Sequence, residues 1–199
     1  MLPMKTVVTT NFKALKFTVM KTLKLLLPLM LIGVFTFTSC SKTETEIPPN
    51  RLSELEKTNL RLMREEEKLA RDVYNYAHGL YGMQIFSNIS NSEQIHMDKM
   101  LELLTSYNLS DPAHSDVGVF NNPELQALYN TLAAQCDISL LEALKVGATI
   151  EDLDIYDLDE AIITTSRADI IEAYTLLKCG SENHMRAFSK QLNNRGETY

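Results

Sequence analysis

From Ser53 onward, apolar residues recur at steps of three and four, the spacing of one face of an α-helix, and period-two alternation is absent. A first helix is predicted from an N-cap at Ser53 to about Leu80, ended by Gly79 and Gly82, with Leu60, Met63, Ala70, Tyr74, Ala77 and Tyr81 on its inner stripe. A second runs from about Gln84 to Tyr107, with Phe86, Ile89, Met100, Leu103 and Tyr107 inside. A third runs from near Ser139 to about Ile162 with Leu140, Leu144, Gly147 and Leu158. A fourth follows Ser166 as N-cap, with Asp169 in its first turn, and carries Ile170, Tyr174, Leu177, Phe188 and Gln191.

The connections fix how these helices pair. Short turns at residues 79–84 and 164–166 make two antiparallel hairpins. The stretch from Asn108 to Asp137, with Asp111-Pro112 and Asn121-Asn122-Pro123, is a long crossover holding a short helix from about Glu124 to Ala134. The expected fold is all-α: two helical hairpins joined by one long crossover.

Each stripe is interrupted by polar residues at corresponding places. Glu67 interrupts the first helix, Glu93 and His96 the second, Glu151 and Asp154 the third, and Ser181 and His184 the fourth. Residues three apart lie on one helix face, about 4.5 Å apart along the axis. Each such pair can therefore approach one site. Burying several carboxylates together is costly unless cations compensate them, and carboxylate-plus-imidazole ligation suits iron or manganese. Glu66 competes with Glu67 as the inward acid, but only the register of Glu67 keeps Leu60, Met63, Ala70 and Tyr74 inside. Taken singly, Glu93-x-x-His96, His184 and the acids around Glu151 also fit a chance helical pair, a hydrogen-bonded core histidine and a solvated face. Their shared register favours a common site. Arg64, Lys68 and Arg71 read as surface charges, with Arg71 able to pair with a ligating acid. His78 and His114 read as too distant to be ligands.

These motifs resemble those of the ferritin-like superfamily. Glu67-Lys-Leu-Ala70-Arg71-Asp-Val-Tyr74-Asn-Tyr76 is similar to the first-helix motif of rubrerythrins, and Phe86 to His96 to their second helix. Gly147 to Asp154 resembles the third, and Gly180-Ser181-Glu182-Asn183-His184-Met-Arg-Ala-Phe188 the fourth. From about residue 55 to 199 the chain also resembles a bacterial ferritin-like family named only as a domain of unknown function. The resemblance implies a four-helix bundle holding two divalent metal ions, iron first and manganese second, on Glu67, Glu93, His96, Glu151, Asp154 and His184. Ser181 stands where rubrerythrins carry a Glu, so the resemblance carries over six ligands and not a seventh. Tyr74 and Ser181 are expected beside the ligands rather than on the metals.

Composition adds a compartment. Residues 1–40 hold five lysines and no acid. Of 19 basic and 26 acidic residues in the chain, 14 and 26 remain beyond Cys40, a net charge of −12. So acidic a domain is a poor partner for nucleic acid. The segment from Met20, with a basic start, an apolar run from Leu25 to Phe37 and then Ser39-Cys40, reads as an export signal whose Cys40 becomes lipidated. Met20 is a candidate start, which would make residues 1–19 dispensable. The expected organisation is a signal segment at 1–40, a tether at 41–51 and the helical domain at 52–199, exported and anchored to a bacterial membrane through Cys40. With Glu151 and His184 level, Cys136 and Cys179 fall about 30 Å apart along the axis, so no bridge is expected between them.

The expected activity is Fe(II) oxidation or reduction of dioxygen or peroxide, although no Cys-x-x-Cys electron-entry motif is present. The alternatives are a non-catalytic metal-binding protein and a metal-free interaction protein of the cell envelope. A homo-oligomer is compatible with the pattern.

Overall fold

The computed structural model describes residues 51–199. The expected signal segment with Cys40, and residues 41–50 of the expected tether, lie outside the described residues. Among these residues the chain is all-helical, with five helices: α1 (Glu54–Tyr81), α2 (Gln84–Ser106), α3 (Pro123–Cys136), α4 (Leu140–Ile162) and α5 (Ala168–Asn193). None of them is long and apolar enough to cross a membrane.

Local chemistry sets most of the boundaries. Ser53 Oγ accepts the Glu56 N–H at 3.2 Å, and the Glu56 carboxylate accepts the Ser53 N–H at 2.7 Å, a reciprocal cap that starts α1. Gly82, in the left-handed region at φ 61°, ends the helix and donates its N–H to the His78 carbonyl. Asn122 caps α3 with a proline in the first turn, and Ser139 caps α4. The expected cap at Ser166 is corrected: Arg167 holds that position, without a side-chain cap bond, and α5 starts at Ala168. The cause is Thr165, whose hydroxyl accepts the Arg167 N–H at 3.2 Å while donating to Glu56 at 2.6 Å, so the turn spends one residue more.

α1 packs along α2 and α4 along α5. The two hairpins meet through α1 against α4 and α2 against α5, and α3 lies against α1 and α4. An apolar layer at one end includes Leu60, Met63, Met100, Leu104, Leu158, Ile170 and Leu177. Towards the other end, Phe188 packs on Tyr74 and Phe86 at ring-centroid distances of 5.4 and 5.9 Å. By register the buried acids and histidines fall between these layers.

Every residue from Met63 to Ala70 is buried, so the middle of α1 has no solvated face. The crossover covers it. Lys68, expected at the surface, is fully buried: its ammonium meets Asp72 at 2.6 Å and the carbonyls of Asp116 and Val119 at 2.9 and 3.1 Å. Asp72 also accepts the Gly118 N–H at 2.9 Å. Arg64, likewise buried, pairs with Asp111 at 2.8 Å. Arg71 bonds Asp72 and Gln94 rather than an acid of the central layer. A polar-looking face was thus an internal one, with each cation matched by crossover oxygens or a neighbouring acid. Cys136 is buried and Cys179 exposed, both as free thiols.

Candidate metal centre

Glu67 on α1, Glu93 and His96 on α2, Glu151 on α4 and His184 on α5 are all buried and converge. They form two sets of three, Glu67–Glu93–His96 and Glu93–Glu151–His184, each with ligand atoms within 4.8 Å of one another. Glu93 is common to both. One of its oxygens faces His96 Nδ1 at 2.7 Å and the other His184 Nδ1 at 2.9 Å. Glu67 lies 3.2 Å from His96 Nδ1, and Glu151 lies 3.4 Å from His184 Nδ1. The imidazoles stack at 5.7 Å between centroids.

The rings are oriented from behind. His184 Nε2 lies 3.0 Å from Ser92 Oγ. Tyr74 donates to Glu151 Oε1 at 2.5 Å. Gly180 stands where a Cβ would lie 2.5 Å from Cε1 and Nε2 of His96, so only a glycine admits that ring. Gly147 plays the same part for Phe188, whose ring edge would be 2.4 Å from an added Cβ.

Burial, hydrogen bonding and charge together set the protonation. Burial pushes Glu67 up to about 8, against the pull of its hydrogen bond to His96. Burial opposes ionisation of Glu93 too, but the His184 and His96 imidazoles that face its two oxygens outweigh it and bring that carboxyl down to about 2. Burial and the charge of Glu93 raise Glu151 to about 7. Burial alone would lower both histidines, yet the carboxylates beside them raise His96 to about 10 and His184 to about 9. Burial, then the charge of Glu151, lifts the Tyr74 hydroxyl well above its ordinary value, so it stays a donor.

The donor set fits cations. Both Glu93 oxygens, Glu151 Oε2 and His184 Nδ1 are buried, each at ion-pair distance from an imidazole or carboxylate of the cluster, but have no aligned hydrogen bond. Such atoms are expensive to bury unsatisfied, and a divalent ion between them would satisfy them together.

Of the positions singled out in the sequence, Asp154 and Ser181 fall in neither set. Asp154 is buried one turn beyond Glu151. Ser181 is fully buried and turns its hydroxyl to the Leu177 carbonyl at 3.2 Å. Sequence reasoning missed Ser92, which no periodicity marks. It also missed the steric roles of Gly147 and Gly180, although a glycine inside a helix costs about 1 kcal/mol relative to alanine and so signals a close approach.

Residues 56–199 match the family described as Uncharacterized protein domain (DUF2202). The chain belongs to the DUF2202 family. It is 51% identical to the Uncharacterized protein MJ0754 of Methanocaldococcus jannaschii over 156 residues, which cover 78% of this chain and 84% of that protein. The crystal structure of hypothetical protein MJ0754 from Methanococcus jannaschii DSM 2661 superposes with a TM-score of 0.74 at 51% identity, over 78% of this chain and 89% of that one. The DUF2202 match begins two residues inside α1 and includes all five residues of the two sets.

Proposed function

We propose that this DUF2202 chain is a ferritin-like protein whose four long helices hold two divalent metal ions, iron first and manganese second. The supporting observation is the shared residue: Glu93 turns one oxygen to each of two imidazoles, and each imidazole has its own further carboxylate, Glu67 or Glu151. Two three-donor sets with a common carboxylate would hold two cations, with Glu93 available to both. Glu67 and His96 would complete one position, Glu151 and His184 the other. Asp154 lies one turn further on the same face of α4, outside both sets.

Redox-active ions bound there would supply one-electron chemistry for oxidising Fe(II) or reducing dioxygen or peroxide. The residues of the chain do the remaining work. Glu93 and the imidazoles set the separation of the two positions, and Tyr74 holds Glu151 in orientation. The apolar layer around Leu158 and Met63 and the rings of Phe86 and Phe188 shield the donors from bulk water. Glu67, Glu151 and the two imidazoles can also take up and release protons as the charge between them changes. The export signal and Cys40 would put this chemistry at a membrane surface outside the cytoplasm.

The test compares the full chain with a Glu93→Ala plus His184→Ala variant. The wild type is expected to retain metal and to consume oxygen or peroxide with Fe(II) faster than free iron does. The variant should stay helical and lose both properties. Metal retention without faster consumption would select a non-catalytic metal-binding role, and equal metal content in the two proteins would refute the centre.

A further inference from the structure

The helices of the two hairpins can be aligned in sequence register pair by pair, α1 with α4 and α2 with α5. Glu67 then corresponds to Glu151, Glu93 to Ser181 and His96 to His184. The same register pairs Ser92 with Gly180 and Tyr74 with Leu158. The contacts obey this pairing. Ser92 meets the Nε2 edge of His184, and Gly180 meets the Nε2 edge of His96. Equivalent places therefore carry different chemistry.

On the Glu151 side both ligands are supported. Ser92 Oγ, 3.0 Å from His184 Nε2, fixes the ring so that Nδ1 faces the site. Tyr74, donating to Glu151 Oε1 at 2.5 Å, leaves Oε2 directed at the same place. On the Glu67 side Gly180 offers no hydroxyl and serves only as the space that the His96 ring occupies. Leu158, in the place equivalent to Tyr74, has no donor to give Glu67 and lies with Met63 in the apolar layer. Partners behind metal ligands change affinity by about 10- to 100-fold each, because they remove the freedom a ligand otherwise loses on binding.

We propose that the two metal positions are unequal: Glu93–Glu151–His184 takes the first divalent ion, and Glu67–Glu93–His96 takes a second that is more weakly held and exchangeable. This rests on the reading of the site as a two-metal centre.

The experiment is titration of the metal-stripped full chain with Mn(II), followed by calorimetry and by electron paramagnetic resonance. The first equivalent should bind at least about tenfold more tightly and give the spectrum of an isolated ion, and the second should couple to it. Gly180→Ala displaces the His96 ring and should bind one Mn(II) with the first step unchanged. Tyr74→Phe, which keeps the ring packing, should weaken the first step by about tenfold or more and spare the second. Two equal sites in the wild type, or a Tyr74→Phe variant in which the second step weakens instead, would overturn the inequality while leaving the metal centre standing. No binding of Mn(II) by a fully helical wild type would overturn the two-metal reading itself, and the inequality with it.

Discussion

Filling the site with metal must expel protons, and their number follows from the groups that face one another there. At pH 7 the metal-free protein carries a proton on His96, raised to about 10, on His184, raised to about 9, and on Glu67, raised to about 8, while Glu151, raised to about 7, is half protonated. Glu93, lowered to about 2, contributes none. Ligand atoms must be deprotonated, so uptake of two ions at pH 7 should release roughly three to four protons per chain. Overall affinity should then fall about a thousandfold for each unit of pH between 7.5 and 6.5. Calorimetry in buffers of different ionisation enthalpy counts the protons directly.

The metal-free protein carries the opposite sign. The two histidines bind their protons more tightly folded than unfolded, so their stabilising contribution is complete below about 6.5 and disappears as pH rises through about 9 and 10. Glu67 and Glu151, raised from 4.5, contribute below that value and lose the contribution as pH rises through about 8 and 7. Glu93 contributes above 4.5 and would lose its contribution only near pH 2. Metal-free protein should therefore melt at progressively lower temperature from pH 5 to pH 10, and bound metal should offset that loss at the alkaline end. Release of fewer than about one proton, or a metal-free melting temperature that rises over this range, would refute the protonation scheme.

Other outcomes follow from the packing. Asp72→Ala leaves the Lys68 ammonium buried with two carbonyls and the Phe120 ring but no counter-charge bonded to it, and should cost about 3–5 kcal/mol in urea unfolding. Replacing Lys68 and Asp72 together by Met and Leu should cost less than Asp72→Ala alone, because no uncompensated charge remains. Gly147→Ala forces a methyl to within 2.4 Å of the Phe188 ring and should cost about 1–3 kcal/mol through overpacking.

The helices were legible in the sequence because three- and four-residue spacing of apolar positions survives any tertiary detail, and Ser53, Gly82 and Ser139 punctuate them chemically. The acids and histidines of the central layer stood out as polar breaks in apolar stripes at matching depth. What was not legible came from contacts distant in sequence. Lys68 and Arg64 read as solvated because nothing local says that the crossover covers the outer face of α1. Ser166 read as a cap because the competing Thr165–Glu56 bond joins residues far apart in the chain. Ser92 owes its place behind His184 to the α2–α5 pairing alone. The same distant contacts separate Glu67 from Glu66, both buried: the hydrogen bond to His96 places Glu67 in the central layer.

The most direct measurement is elemental analysis of the full chain purified without chelators, with the Glu93→Ala plus His184→Ala variant prepared in parallel. About two divalent ions per wild-type chain, iron or manganese, and close to none in an equally helical variant are expected. A wild-type protein that holds no transition metal, even after incubation with Fe(II) or Mn(II), would contradict the proposal that these buried acids and imidazoles are gathered to bind cations.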